Sequence, residues 1–221
     1  MRPANFSEEK MLMKKTCLLL VGTLALLAPA RAADDWVRYK AQPGGGKIRV
    51  DGTSTIHDWS VESRLIGGYV EFDPAFDLEK AAPGKVNVRA SVLIPVRQLK
   101  SDKTSMDNVI YDAMKEKDHR QIEYHLTEMT LKEAPKSPDG PWEFDTQGEL
   151  FVAGVTNKIR MPVTLTRVEK DKLKFTGSTA VKMTSFGIQP PAPKVALGLI
   201  STGDDVKLTF EWLTVRKEAA K

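Results

Sequence analysis

Apolar and polar residues alternate with a period of two through most of this chain, and that alternation limits the fold more than any other feature. Between Val86 and Val96 the even positions are Val86, Val88, Ala90, Val92, Ile94 and Val96. The odd positions are Asn87, Arg89, Ser91, Leu93 and Pro95. Side chains leave a strand on opposite faces in turn, so this pattern describes a half-buried strand, and β-branching favours it further. The same rule places Ile122, Tyr124 and Leu126 on one face. It sets Ile159, Met161, Val163 and Leu165 opposite Lys158, Arg160, Thr164 and Thr166. Leu173, Phe175, Val181 and Met183 stand against Lys172, Lys174, Ser178 and Lys182, and Val206, Leu208, Phe210 and Trp212 form the last set. Turn chemistry falls between these runs, at "SPDGP" (137–141), "EKDK" (169–172) and "STGDD" (201–205).

One segment departs from the alternation. "SDKTSMDNVIYDAMKEK" (101–117) carries Met106, Ile110, Ala113 and Met114 at helical spacing. Ser101 or Ser105 is its candidate N-cap, and Lys115 and Lys117 sit favourably near its C-terminal end. The chain therefore reads as mainly β, an antiparallel meander with one inserted helix. Strands with one apolar face must close into a barrel or pair as a sandwich, because an open sheet exposes that face and its edges. Alternation alone does not choose between the two.

The first residues read differently. Lys14 and Lys15 precede "TCLLLVGTLALLA", and "APARA" follows, with Ala30 and Ala32 in the small-x-small pattern of a signal-peptidase site. The apolar run is about 12 residues long, short of the roughly 20 that a spanning helix needs. Residues 1–32 are thus expected to be a signal peptide cleaved near Ala32, with the mature protein in the periplasm or secreted. Met11 and Met13 are alternative starts. Residues 33–46, ending in "PGGG", suit a lead-in or turn; 47–216 form the barrel domain and 217–221 a tail.

Charge and cysteine use narrow the functions. The chain has 33 Lys and Arg against 29 Asp and Glu. Five of those bases and two of the acids (Arg2, Lys10, Lys14, Lys15, Arg31; Glu8, Glu9) lie in the expected leader, so the remainder is nearly neutral. No basic cluster stands out, which argues against nucleic acid as a partner. The single cysteine, Cys17, leaves with the leader, so core burial must hold an exported protein together without a disulfide.

"TSTIHDWS" (53–60) brings Ser54, His57 and Asp58 close together, the residue types of a hydrolase. Neighbours on a strand point to opposite faces, whereas a triad needs the carboxylate on the imidazole. The stretch therefore reads as a strand, with His57 as a candidate polar group at a pocket rim and no catalytic residue assigned. His119 and His125 show no metal-ligand spacing, and "PGGG" lacks the continuation of a phosphate loop, so neither metal nor cofactor is expected.

Four stretches in order, "LKSDKTSMDNVIYDAMKEKDHRQIEYHL" (99–126), "GELFVAGVTNKIRMPVTL" (148–165), "VKMTSFGIQPP" (181–191) and "GDDVKLTFEW" (203–212), resemble the YceI-like family of bacterial periplasmic polyisoprenoid-binding proteins. The resemblance runs from about Lys47 to Val215. It implies a lipocalin-like antiparallel barrel of about eight strands enclosing an apolar cavity, with the helix near one opening. It departs at the N-terminal strand, where family members often carry an aliphatic or aromatic residue in place of "HDW". Carried over by face, the lining would comprise Val88, Val92 and Ile94; Ile122, Tyr124 and Leu126; Ile159, Met161 and Val163. It would continue with Phe175, Val181, Met183 and Phe186, and with Val206, Leu208 and Phe210. The implied function is a non-enzymatic carrier of an isoprenoid, polyprenyl or quinone-like, or of a similar amphiphilic lipid. Transient membrane contact and a homodimer are further candidate associations. Two rivals are an interaction module with a filled barrel, binding through loops such as "SFGIQPPAPK", and an enzyme using His57.

Overall fold

The computed structural model describes residues 36–137, 140–192 and 201–216. The strands are β1 (Val37–Ser54), β2 (Trp59–Ser63), β3 (Gly67–Phe72), β4 (Gly84–Val86), β5 (Val88–Pro95), β6 (Gln121–Glu133), β7 (Trp142–Val152), β8 (Val155–Glu169), β9 (Lys172–Lys182) and β10 (Thr202–Arg216). The α-helix α1 spans Thr104–Ala113, between β5 and β6. Eight strands close a ring in the order β1, β10, β9, β8, β7, β6, β5, β3 and back to β1. Of the two architectures that alternation permits, the chain adopts the barrel.

The seam is an antiparallel pairing of β1 with β10, from Tyr39 opposite Arg216 to Ser54 opposite Thr202. The other edge of β1 is shared: β3 covers Val37–Lys40 and β2 covers Ile48–Gly52. Beyond β2 the ring is patched by a bridge between Glu62 and Lys100, whose backbones exchange both hydrogen bonds at 2.8 Å. Both edges of β1 are thus paired, while β8 and β9 pair only from Val163 opposite Gly177 to Glu169 opposite Lys172.

Hairpin directions sort the connections to two ends. The 55–58 turn, α1, the Ala153–Gly154 turn and residues 183–192 lie at one end; 73–87, 134–137 and 170–171 lie at the other. The second end is packed shut. Phe144, Leu131 and Leu165 are at most 1% exposed there, among Trp142, Leu173 and Phe72. Phe72 stacks on Phe76 and meets Tyr39 edge to face, and Trp142 Nε1 donates to the Leu78 carbonyl at 3.0 Å.

Local departures from the sequence reading have identifiable causes. The "PGGG" stretch is no lead-in: β1 already runs from Val37, and the glycines sit at an irregularity between Ala41 and Gly46, with Gly44 in the left-handed region. A bulge of this kind uses the same residue types as a turn. "STGDD" is mostly strand: β10 begins at Thr202, which pairs with Ser54 of β1, and Asp205 pairs with Lys182 of β9. The helix has Lys103 at its N-cap position, with no side-chain cap bond, so neither Ser101 nor Ser105 caps it.

Ser101 has another task. Its N–H and its hydroxyl both donate to Asp107 Oδ1 at 2.7 Å, and Lys100 Nζ lies 3.5 Å from Oδ2. The Tyr111 hydroxyl meets the Leu99 and Arg97 carbonyls at 2.9 and 3.0 Å. These bonds fasten α1 to the segment before it. Burial pushes the Asp107 carboxyl up, but the bonds from Ser101 and the Lys100 charge outweigh it and hold the group below its ordinary value. A depressed folded value means that the anchorage is complete above the unfolded carboxylate range, near pH 4, and is lost as pH falls through the folded value. The protection of amides in 101–113, relative to their intrinsic exchange rates, should therefore fall in acid below about pH 4. In Asp107→Asn that protection should be lower at neutral pH and lose its acid dependence. An unchanged pH profile in the variant would remove Asp107 from this role.

Candidate functional site

Above the packed end the barrel is hollow. A cavity of about 720 Å³ occupies the half of the lumen that faces α1. This lies within the range typical of pockets for small apolar ligands, about 300–1,000 Å³. Its wall is built strand by strand from inward positions. β5 supplies Val92 and Ile94, and β6 supplies Ile122, Tyr124 and Leu126. β8 gives Ile159, Met161 and Val163; β9 gives Phe175 and Val181, continued by Met183 and Phe186 in the following 3-10 turn. β10 adds Val206, Leu208 and Phe210.

Val88 is the exception among the sites read from the sequence. The chain breaks at Asn87, and Val88 pairs with Phe72 at the foot of β5. It packs against the core at the closed end and does not reach the lumen.

Several lining residues were missed. Ile48 and Val50 on β1, Trp59 and Val61 on β2, and Leu150 and Val152 on β7 also face the cavity. The alternation of Ile48 and Val50 was visible in "KIRVDG". From α1, Met106, Ile110, Ala113 and Met114 close over the top. Their helical spacing was readable, but the cavity beneath them was not, because that contact is tertiary. Trp212, from the last alternating set, lines the floor, tilted against Phe175 with ring centroids 5.8 Å apart.

What keeps the lumen open is partly a matter of missing side chains. A Cβ at Gly148 would run into the Tyr124 ring, and one at Gly177 would run into the Phe210 ring. Both glycines point inward on their strands. Each lets a neighbouring aromatic ring lie flat along the wall instead of across the barrel. The wall is consequently thick, and the axis is clear.

Among the described residues, no Lys, Arg, Asp or Glu lines the cavity. Its polar members are few and mostly engaged: Thr146 Oγ1 donates to the Met161 carbonyl at 2.9 Å, and Thr179 Oγ1 to the Arg160 carbonyl at 3.1 Å. At the mouth stand Ile56, 62% exposed, and Val109, 39% exposed. Among the described residues, no group of three or more His, Cys, Asp and Glu is arranged to hold a metal.

The Ser-His-Asp cluster lies at this mouth, in a turn and not in a strand: β1 ends at Ser54 and β2 begins at Trp59. Released from strand pairing, both Ile56 and His57 reach the cavity rim, against the two-faced reading of the sequence. The Ser54 hydroxyl donates to the His57 backbone carbonyl at 2.6 Å and accepts the His57 N–H at 3.2 Å. His57 Nδ1 lies 2.9 Å from the Asp58 backbone carbonyl, so that nitrogen carries the proton. The serine is occupied in folding the turn, and the imidazole is oriented by a backbone oxygen, not by a carboxylate. This arrangement does not generate a nucleophile in the manner of a triad.

Comparisons with known proteins agree with this architecture. The model of the YceI-like domain matches residues 39–213. A UPF0312 protein of Pseudomonas fluorescens is 25% identical over 214 residues, covering 91% of this chain and 98% of the relative. A polyisoprenoid binding domain from Saccharophagus degradans, described as implicated in plant cell wall breakdown, superposes with a TM-score of 0.63 at 10% identity. It covers 82% of this chain and 99% of that domain. Burkholderia cenocepacia BcnA gives a TM-score of 0.59 at 18% identity, over 78% of this chain and 98% of its own. At such identities the structural likeness concerns the fold.

Proposed function

Since the chain belongs to the YceI-like domain family, we propose that it is a carrier that encloses an isoprenoid or similar amphiphilic lipid in the barrel. The observation behind this reading is the cavity itself: about 720 Å³, apolar on every strand of the ring, with no charged side chain among the described residues that line it. Each buried methylene is worth about 0.8 kcal/mol, so a five-carbon isoprene unit contributes roughly 3–4 kcal/mol gross. A few such units offset the ordering and association costs without an ionic contact. The description of the Saccharophagus domain as polyisoprenoid binding supports the same class of guest.

In this proposal the protein is exported to the periplasm or secreted, with residues 1–32 removed as a leader; those residues lie outside the described ones. The exposed Ile56 and Val109 at the mouth would touch a membrane transiently while a guest enters or leaves. The carrier is non-enzymatic. His57→Ala is accordingly expected to leave guest affinity within about twofold, because its ring is held by a backbone carbonyl of its own turn. Loss of a chemical conversion of the guest in that variant would instead establish an enzyme.

Native mass spectrometry and organic extraction of protein purified from its own host test the carrier reading. The expected result is a co-purifying lipid of one chemical class. A persistently empty protein that takes up neither isoprenoid quinone nor polyprenyl phosphate would refute it.

A further inference from the structure

The barrel wall parts between β8 and β9. On its other side β8 is paired with β7 from Val155 opposite Val152 to Leu165 opposite Trp142. On its other side β9 is paired with β10 from Lys172 opposite Val215 to Lys182 opposite Asp205. Between the two, the register stops at Val163 opposite Gly177. Continued toward the mouth, it would join Pro162 to Ser178, Arg160 to Ala180 and Lys158 to Lys182, and none of these pairs forms.

The cause lies in the backbone. Alternate residues of an antiparallel strand turn their N–H and carbonyl toward the same neighbour. The Arg160 carbonyl accepts from Thr179 Oγ1 on β9, and a Cβ on Gly177 would lie 2.8 Å from the Pro162 carbonyl. Lys158, Arg160 and Pro162 therefore aim at β9, and Pro162 has no N–H to offer. The ladder ends at the residue that cannot donate.

Among the described residues, two side-chain bonds span the gap instead. Thr179 Oγ1 donates to the Arg160 carbonyl at 3.1 Å midway up. Asn157 Nδ2 donates to the Ser185 carbonyl at 2.6 Å, where the 3-10 turn after β9 crosses back to β8. The result is a window, bounded below by paired strands and above by that turn. Ile159 and Met161 form one inner margin and Val181 the other, and all three border the cavity. Arg160, Ala180 and Lys182 are exposed on its outer face.

A partner strand does not fit such an opening. Strand addition needs a free edge, whereas the pairing at Val163 holds β8 and β9 too close to admit a third strand. What the window reaches is the lumen. The far end of the barrel is packed shut, and α1 lies across the near end, fastened there through Asp107 and Tyr111. We infer that the window is a side entrance to the cavity. A guest crosses the wall between β8 and β9, parting the Thr179 and Asn157 bonds while the ladders on either side stay whole. The window lies in the half of the wall nearest the mouth, so contact of that end with a membrane brings it to the lipid. This inference rests on the carrier reading and adds to it the route by which a guest is exchanged.

The test uses the full chain carrying Cys17→Ser, Arg160→Cys and Ala180→Cys, with the two new thiols joined across the window by a short bismaleimide. Neither Arg160 nor Ala180 borders the cavity. The same variant capped with N-ethylmaleimide is the reference. The probe is decylubiquinone, an amphiphile whose quinone quenches tryptophan fluorescence, and stopped-flow mixing gives its association and dissociation rates. Both rates are expected to fall about tenfold in the cross-linked protein, with Kd held within about twofold, because a route sets rates and not the equilibrium. Asn157→Ala, which releases the upper margin, should instead raise both rates about threefold. Equal rates in cross-linked and capped protein, a change confined to affinity, or unaltered rates in Asn157→Ala would each overturn the inference and leave the carrier reading standing. Failure of the unmodified protein to bind the probe at all would refute the two together.

Discussion

Replacing Phe144 by alanine is expected to destabilise the protein by about 3–5 kcal/mol, the usual cost of deleting a buried aromatic side chain. Phe144 is 1% exposed and sits in the packed end, between Leu131 on β6 and Val163 on β8 in the strand register. For a domain of this size each kcal/mol lowers the melting temperature by roughly 2–4 °C, so a drop of about 10 °C or more should be seen. Leu208→Ala provides the control. Leu208 is half-buried, pairs with Val50 and Thr179, and faces the hollow half. Its truncation removes fewer packing contacts, because one side of it already borders empty space, and should cost only about 1–2 kcal/mol. Equal losses in the two variants, measured by chemical denaturation, would mean that the lumen is collapsed in solution.

The second large effect comes from adding volume. Leu208→Trp extends an indole into the cavity from β10. In a packed core such a change forces strain, but here the space is vacant, so stability should be unchanged or raised. The occupant of that space should be displaced. Retention of co-purifying lipid in native mass spectra is expected to fall at least tenfold, with the melting temperature of the empty protein held within a few degrees of the parent. Undiminished lipid in a well-folded Leu208→Trp protein would place the guest elsewhere.

These predictions turn on a distinction that the sequence does not carry. One-sided antiparallel strands were legible, because inward and outward positions repeat along them, but this left barrel and sandwich open, and the barrel was implied by the family resemblance. Fifteen of the sixteen lining positions read from the sequence do border the cavity, Val88 being the one that does not. Val88 failed because its face is right but its height is wrong, and height along a barrel follows from register. The hollow itself was not legible. Phe144 and Phe175 follow the same alternation, yet Phe144 belongs to the packed end and Phe175 to the floor of the lumen. Whether inward side chains meet across the axis depends on pairs such as Gly148 with Tyr124, which lie on different strands. The turn at 55–58 escaped for a local reason. The stretch "TIHD" carries no Gly or Pro to mark a turn, and only the bonds between the Ser54 hydroxyl and the His57 backbone show that the chain bends there.

The seam between β1 and β10 has a consequence for how the molecule comes into being. Its two sides are the first and the last strands of the barrel, so the ring cannot be completed until the final strand has been made. Contacts between such distant parts of a chain form slowly, since the loop between them must be ordered before any pairing rewards it. During synthesis the growing polypeptide therefore lacks its closing partner and stays extended for longer than a helical bundle of the same size would. Under the proposed export that delay would be an advantage, because a chain threaded through a membrane pore must cross before it folds. The same delay exposes its greasy ribbons, so the interval is one in which a holding chaperone would be needed.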